Sequence, residues 1–290
     1  MNESHGRTTR RRFCGVMGGA AAMSLLAAHG AIARAARTGV RAARRGDTDA
    51  RILGLRLRTA APLDTMKSYY CDLLGMTLVE STGDVLTVKA GATAITFETA
   101  GPDEVAPFYH FAFNIPEHKI LAAGEWQLQR TPLFNTPEHM RDAGYPDDVR
   151  HFRGWNAHSV FFFDPAENVL EYIARHDLPA TRDQGSAGDG FAPADVLYAS
   201  EIGFVVDDVQ SLARQFASSL DMDEYRPGND AFQAMGDERG LLLIFRTGRN
   251  IGTGSGKDKP CRVFQTEAAI RGALARELAV DGYPYRIAAK

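Results

Sequence analysis

From Arg51 onward, the spacing of apolar residues changes in a regular order. The stretch ILGLRLRT alternates apolar and polar positions, which predicts a β-strand. The next stretch, PLDTMKSYYCDLLGM, carries its apolar residues at helical spacing and ends at Gly75, a typical helix terminator. Three short strand-like stretches then follow, MTLVES, DVLTVKA and TAITFET. The pattern predicts the order β-α-β-β-β for residues 51–99, which we call module one.

The same order of elements returns twice further along the chain. Module two (residues 108–178) has the strand FYHFAFNI, a helix that begins at Pro116, and the closing hairpin HSVFFF, DPAEN, VLEYIAR. Module three (residues 196–246) has the strand SEIGFVV, a helix with Asp207 or Asp208 as N-cap, and further strand-like stretches. Residues 261–290 could supply one more strand and helix. We therefore expect a degenerate fourth module within residues 247–290.

Two polar segments interrupt the modules. Residues 130–154 are rich in Pro, Asp and His, and this composition predicts a loop or lid inside module two. Residues 179–195 are dense in Gly, Ala, Asp and Pro and indicate a linker before module three.

The first 35 residues are typical of a targeting segment. Thr9-Arg10-Arg11-Arg12-Phe13 is a twin-arginine pattern, followed by a weakly hydrophobic Gly/Ala-rich stretch and the A-x-A sequence Ala33-Arg34-Ala35. This resembles a bacterial Tat signal peptide (1–35), with an uncleaved anchor or an accidental arginine cluster as alternatives. Residues 36–50 predict a disordered linker. We expect a periplasmic or secreted protein with no stable membrane anchor after cleavage.

Composition narrows the class of protein and of partner. With 290 residues, 44% hydrophobic and 24% charged, the chain has the composition of an ordinary globular protein. Its formal net charge is −3, and the part after Ala35 is more negative because the first 35 residues hold five arginines and one glutamate. A negative body disfavours nucleic acid as a partner. The cysteines show no metal-binding spacing.

Three phrases of the sequence carry a family resemblance. DTMKSYYCDLLGM, the strand start YHFAF and the hairpin FFFDPAENVLEYI resemble the vicinal oxygen chelate superfamily, which includes glyoxalase I, extradiol dioxygenases and bleomycin- and fosfomycin-resistance proteins. The resemblance implies an α+β fold of tandem βαβββ modules, with mixed cup-shaped sheets and helices outside. It also implies that modules one and two pair across residues 51–178. A divalent metal, Fe, Mn, Zn or Ni, would lie in the cup.

The resemblance also indicates which residues would bind the metal. Ligands of the family lie on the first and last strands of a module, and in module two these positions hold His110 and Glu171. A third ligand has two candidates, His158 and Glu201. If Val169 pairs with Phe162, His158 and Glu171 point to one side, and this is the register that we favour; pairing one residue later turns His158 away. Glu201 would require module three to lean over module two.

Module one departs from the family's ligand pattern. Leu55 aligns with the histidine position and Thr96 with the glutamate position, and neither side chain is a usual ligand, although Glu98 lies two residues beyond Thr96. In module three, Leu242 to Ile244 lie near the glutamate position. A complete family site therefore cannot be assembled from modules one and two alone.

The leading hypothesis is an exported metalloenzyme acting on a small molecule with vicinal oxygens. His110, His158 and Glu171 have the composition of the two-His, one-carboxylate triad of an Fe(II) extradiol dioxygenase. In a glyoxalase-like reaction, Glu201 or Glu98 would act as the base, so Glu201 and His158 are the candidate catalytic residues. The alternative is a non-catalytic binding or resistance-type protein with this fold. The resemblance also allows a homodimer.

Overall fold

Fourteen β-strands arranged in two seven-stranded sheets form the framework of the described chain. The computed structural model describes residues 50–178, 181 and 184–290. The predicted signal peptide lies outside these residues, as does the predicted linker 36–50 except for Ala50, so both remain predictions. Among the described residues, no helix has the length and apolar character needed to cross a membrane.

Each sheet combines strands from two modules. The first sheet contains β1 (Ile52–Thr59), β2 (Thr77–Ser81), β3 (Val85–Ala90), β4 (Thr93–Thr99), β12 (Thr266–Ile270), β13 (Arg276–Ala279) and β14 (Tyr285–Ala289). The second contains β5 (His110–Asn114), β6 (Arg150–Phe152), β7 (Ala157–Phe163), β8 (Val169–Arg175), β9 (Tyr198–Val206), β10 (Phe232–Asp237) and β11 (Gly240–Arg246). The α-helices are α1 (Leu63–Lys67), which continues as a π-helical turn over Ser68–Leu73, α2 (Ile120–Leu128) and α3 (Val209–Leu220).

The pairing of modules differs from the expected pairing of one with two. In the first sheet, β1 of module one pairs antiparallel with β12 of the fourth module. In the second sheet, β5 of module two pairs antiparallel with β9 of module three. Modules one and four therefore share one sheet, and modules two and three share the other. Every βαβββ module presents an apolar first strand, so the sequence pattern does not specify which first strands become neighbours.

The fourth module is built from strands alone within residues 261–290. The expected helix there is wrong, because this stretch forms β12, β13 and β14. The sequence YRIAA of β14 alternates buried and exposed positions, which is the period of a half-buried strand. Gly282 precedes β14 with a φ of 79°, a backbone conformation that favours glycine in a turn.

Helices cover one face of the second sheet, which we call its helix face. Gly124 of α2 lies against Val160 of β7, and Phe216 of α3 packs on Phe204 of β9 with ring centroids 5.5 Å apart. Asp208 caps α3 by accepting a hydrogen bond from the Ser211 amide at 2.9 Å, one of the two caps expected from sequence. The opposite face of this sheet is left to line a cavity.

The turn between β3 and β4 contacts the chain leading into β9. Gly91 has a φ of 55°, and a Cβ at this position would lie 2.0 Å from the carbonyl oxygen of Leu197. We predict that Gly91→Ala lowers the free energy of unfolding by roughly 1–3 kcal/mol, since overpacking and left-handed strain act together. Gly83→Ala is the control, because a Cβ there meets nothing within 4 Å. Equal urea midpoints for the two variants would contradict this contact.

Candidate functional site

Three ionisable side chains converge at the centre of the second sheet. Ala112 of β5 pairs with Glu171 of β8 on one side and with Glu201 of β9 on the other. His110 precedes Ala112 by two residues and therefore points to the same face. Because Ala112 is small, the space above it is left to the three longer side chains. The register thus brings together one imidazole and two carboxylates on the face that the helices do not cover.

The three groups are buried and close enough to share one ion. His110 Nε2 lies 3.5 Å from Glu171 Oε2 and 3.7 Å from Glu201 Oε2. One donor atom from each residue lies within 4.8 Å of the others. The exposed fraction is 8% for His110 and 2% for each glutamate. Burial of two neighbouring carboxylates is costly unless a proton or a positive group balances each of them.

A hydrogen bond from the His110 side chain to a backbone carbonyl determines which imidazole nitrogen faces the carboxylates. His110 Nδ1 lies 2.9 Å from the carbonyl oxygen of Val169, an acceptor only, and therefore donates its N–H to it. A neutral imidazole then carries a lone pair on Nε2, directed toward Glu171 and Glu201. A hydrogen bond of this kind behind a histidine is the usual way in which proteins orient a metal-binding imidazole.

Arg175 fixes one of the two carboxylates. Its Nη2 donates a hydrogen bond to Glu201 Oε1, and its Nε donates to Asn114 Oδ1 at 3.2 Å. Asn114 in turn donates through Nδ2 to the Tyr198 hydroxyl at 2.9 Å. Arg175 also shares the face of Glu171, four residues earlier on β8. Glu201 is therefore held in place and charge-balanced, whereas Glu171 makes no such ion pair with the described lysines and arginines.

The electrostatics of the site follow from burial and from the proximity of two like charges. Burial first, and then the charge of Glu201, raises the pKa of Glu171 to about 8. Burial alone would lower the pKa of His110, but hydrogen bonding to Glu201 and the charges of both glutamates raise it overall. The charge of Glu201 contributes to both shifts, and a divalent cation bound among the three side chains would interact favourably with both carboxylates.

The donor set fits a first-row divalent metal with open positions. One imidazole nitrogen and two carboxylate oxygens suit Zn²⁺, Mn²⁺, Fe²⁺ or Ni²⁺. Modules two and three contribute equivalent strands to the sheet, so β11 holds a fourth ligand position equivalent to that of Glu171. This position is occupied by Leu243, which pairs with Gly203, two residues after Glu201. Leucine supplies no donor, so the described residues offer three ligands at this centre.

A cavity of about 470 Å³ opens over the three side chains. Its walls are mainly aromatic and aliphatic, contributed by Met140, Phe152, Trp155, Phe161, Phe232, Leu243, Phe245 and Ile251. The segment between α2 and β7, expected to be a loop or lid, supplies part of this wall through Pro137, His139 and Met140. The cavity volume and apolar lining match those of a small-molecule site.

Two arginines add positive charge to the cavity. Arg150 on β6 is buried, and its guanidinium lies 4.2 Å from the centroid of the Phe161 ring. Burial lowers its pKa to about 10, so the side chain stays charged at neutral pH. Arg249 lies 5.1 Å from the centroid of the Phe232 ring. Neither arginine forms an ion pair with a carboxylate of the described residues within 4.0 Å, so both can attract an anionic ligand.

The structure separates His158 from the residues with which it was grouped. Phe163 pairs with Val169, so the favoured register, Val169 with Phe162, is wrong. Phe161 therefore faces Glu171, and His158 points to the helix face. Glu201, the other candidate for the third ligand, lies beside His110 and Glu171 because β9 is the neighbour of β5. His158 therefore lies on the opposite face of the sheet from His110, Glu171 and Glu201.

The corresponding positions of the first sheet carry no such centre. Arg56 pairs with Thr96 on β4 and with Glu267 on β12, and therefore occupies the position of Ala112. The residue equivalent to His110 is then Gly54 rather than Leu55, a shift of one from the alignment made on sequence. Glu98, proposed as a base, forms an ion pair with Arg56 instead. The guanidinium of Arg56 therefore lies at the position that corresponds to the three donors His110, Glu171 and Glu201 of the second sheet.

The arginines of the site are not among the residues predicted from the sequence. Arg175 lies four residues after Glu171 on one strand, so strict alternation places both on one face; this was a usable signal. Arg150 and Arg249 lie outside the βαβββ pattern, and the sequence offers no signal for them.

Solved structures with this fold include two enzymes or enzyme-like proteins. A putative dioxygenase from Bacillus subtilis subsp. subtilis str. 168 is 13% identical, with 82% of this chain and 84% of that chain covered and a TM-score of 0.51. Glyoxalase I from Zea mays is 14% identical, with 82% and 92% covered and a TM-score of 0.45. No family model and no curated protein sequence matches this chain.

The likeness to the putative dioxygenase agrees with the topology at the level of fold. The chain has the glyoxalase/dioxygenase fold, with tandem βαβββ modules in two curled mixed sheets. At such low identity the likeness carries no activity over to this chain, because one scaffold hosts many reactions.

Proposed function

We propose that this chain is a metal-dependent enzyme of the vicinal oxygen chelate type that transfers a proton on a small anionic molecule bearing two vicinal oxygens. The observation that carries the proposal is the convergence of His110, Glu171 and Glu201 at the base of an apolar cavity. These three residues would hold the metal, with Arg175 balancing the charge of Glu201. The bound metal would act as a Lewis acid toward the two substrate oxygens.

The proton transfer and the exclusion of water depend on side chains of the protein. Glu171 accepts a proton from a carbon next to the bound carbonyl and returns it to the neighbouring position, a transfer that needs no external oxidant. Its carboxylate lines the cavity, with Oε2 3.5 Å from His110 Nε2, so it lies within reach of a substrate bound there. Glu201 is less suited, because its Oε1 already accepts a hydrogen bond from Arg175. Aromatic side chains such as Phe161 and Phe245 keep bulk water away from the transfer.

The donor set favours proton transfer over dioxygenase chemistry. An extradiol-type site would use two histidines and one carboxylate. The second histidine would have been His158, and the register places it on the helix face. One histidine with two carboxylates instead combines metal binding with a carboxylate base.

A second candidate function is non-catalytic binding of the same class of small molecule. The observation in its favour is Leu243, an apolar side chain at the fourth ligand position of the sheet. Steady turnover of a vicinal carbonyl compound by metal-loaded protein would exclude this candidate. Stoichiometric binding without turnover would favour it.

The arginines predict a preference for anionic ligands. We expect Arg249→Leu to weaken binding of 2-hydroxybenzoate to the Zn²⁺-loaded protein by about tenfold, or ~1.4 kcal/mol, because a charge-assisted contact is lost. Quenching of Trp155 fluorescence reports the binding, since this indole lines the cavity. Binding of uncharged catechol should change little. Arg246→Leu, an exposed arginine at the end of β11, is the matched control. Equal loss for both ligands would contradict an anion-binding role for Arg249.

A further inference from the structure

A second cluster of ionisable side chains lies on the helix face of the same sheet. His151 of β6 pairs directly with His158 of β7, so the two imidazoles project side by side. Asp142, from the segment between α2 and β6, places its Oδ2 atom 3.1 Å from His151 Nδ1 and 3.2 Å from His158 Nε2. The cluster is separate from the centre described above, because His158 and Glu171 project from opposite faces of the sheet.

A chain of hydrogen bonds behind His158 directs its lone pair toward Asp142. His158 Nδ1 lies 2.7 Å from His176 Nε2, and His176 Nδ1 lies 3.3 Å from Glu117 Oε1. The Glu117 carboxylate accepts the Nδ1–H of His176, so His176 Nε2 accepts the Nδ1–H of His158. His158 Nε2 is then unprotonated and faces a carboxylate oxygen.

A count of protons shows that one contact of the cluster lacks a proton, whichever tautomers the imidazoles of His158 and His176 adopt. His158 and His176 together make three contacts: with Asp142, with each other and with Glu117. Each contact needs one proton, and two neutral imidazoles carry only two. His151 Nδ1 adds a further unpaired atom, since it is buried and makes no hydrogen bond in spite of its proximity to Asp142. A cation bound among Asp142, His151 and His158 would complete these contacts.

We propose that Asp142, His151 and His158 form a second metal site, specific for Zn²⁺ or a similar late first-row divalent ion. Donors bound to one such ion at ~2.1 Å and near-tetrahedral or right angles are roughly 3.0–3.4 Å apart, and the two distances to Asp142 fall in that range. His176 and Glu117 lie behind His158 as the supporting groups that metal-binding histidines usually have.

Ion binding turns one ring of the cluster. The imidazoles of His151 and His158 are stacked, with centroids 4.3 Å apart, and a ring binds a metal only in its own plane. His158 is held between Tyr145, stacked at 3.9 Å, and His176. His151 lies on a three-residue strand at the edge of the sheet and is the ring that tilts.

The site joins the segment between α2 and β6 to the sheet. Asp142 belongs to this segment, and two residues before it Met140 lines the cavity on the other face, as do Pro137 and His139. An ion bound to Asp142 would therefore fix one cavity wall against β6 and β7. We assign the site a structural role that does not depend on the proposed activity.

Titration of the metal-free protein with Zn²⁺ tests this proposal. We expect the wild type to bind two equivalents of Zn²⁺ and Asp142→Asn/His151→Gln to lose one of them. The affinity for that equivalent should fall by more than the roughly 10–100-fold that loss of a supporting group costs. His176→Gln should weaken the same equivalent by roughly 10–100-fold. Asp147→Asn and His118→Gln, both exposed, are the controls and should bind as the wild type does. Circular dichroism verifies that each variant is folded.

The outcomes separate the two metal sites. Glu171→Gln should lose the other equivalent and keep this one. If the wild type binds a single equivalent that Glu171→Gln abolishes and Asp142→Asn/His151→Gln retains, the second site does not exist. If the single equivalent shows the reverse dependence, the second site stands and the proposed function fails. Unchanged stoichiometry and affinity in both Asp142→Asn/His151→Gln and His176→Gln would also overturn the proposal.

Discussion

Glu171→Gln is expected to abolish stabilisation of the protein by metal at the cavity centre without unfolding the metal-free protein. The raised pKa of Glu171, about 8, means that this carboxyl holds a proton at neutral pH when no cation is present. Glutamine has the same shape and is neutral, so we expect unfolding free energies within about 0.5 kcal/mol of each other for the two metal-free proteins. The amide does not supply the anionic oxygen that the metal requires.

Thermal unfolding with and without metal measures this effect. A metal present at 100 times its Kd should stabilise the wild type by about 2.7 kcal/mol, and the variant should gain far less. Glu167→Gln is the matched control, because this glutamate lies in the turn of the same hairpin and forms ion pairs with Lys257 and Lys259. The measurement is made with the second cluster removed by Asp142→Asn/His151→Gln in every sample. Equal metal-induced shifts with and without Glu171→Gln would contradict the assignment.

Arg175→Leu should cause the largest loss of stability among the substitutions considered. Arg175 and Glu201 are both buried, with side chains 1% and 2% exposed. Removal of one partner leaves the other charge in a low-dielectric site, which costs about 3–5 kcal/mol. We expect divalent metal to restore part of this loss, because a cation at the centre also balances Glu201. Urea denaturation with and without metal measures both effects.

A double variant distinguishes the ion pair from simple packing. In Arg175→Leu/Glu201→Gln neither charge remains, so the metal-free protein should recover a large part of the stability that the single variant loses. Arg56→Leu is the control, since Arg56 is 45% exposed and its ion pair with Glu98 should contribute at most about 1 kcal/mol. If the single and double variants were equally unstable, the loss would come from packing of the long side chain instead.

The order of elements could be predicted from the sequence because each element has its own period. The helix α3, its cap Asp208, and the strands β7 and β8 occur where hydrophobic spacing and turn residues indicated them. The repeat of that order led to the fold class. These signals are local, since each depends on residues a few positions apart.

The pairing of modules is a long-range property and lacked such a signal. β5, the first strand of module two, is buried along its whole length, and β1, which opens module one, is mainly apolar. Strands of this kind can accept more than one neighbour. The pairing of β9 with β5 brings Glu201 to the centre. The set of residues in the site therefore depends on the pairing of modules, which is the feature least predictable from the sequence.

The register of the β7–β8 hairpin was ambiguous for a related reason. The strand AHSVFFF is apolar on both faces around Phe161 and Phe162, so hydrophobic alternation does not distinguish two registers one residue apart. The turn at Glu167, with a φ of 60°, decides between them. A difference of one residue between the predicted and the observed register therefore places His158 in the Asp142 cluster and not in the cavity.

Anomalous diffraction from crystals soaked with Mn²⁺ tests the central claim most directly. We expect a peak at roughly 2.0–2.2 Å from His110 Nε2 and from a carboxylate oxygen of both Glu171 and Glu201, with Leu243 contributing no ligand. The peak should be absent from crystals of Glu171→Gln. A fully soaked wild-type crystal with no anomalous density among these three side chains would contradict a metal centre in this cavity.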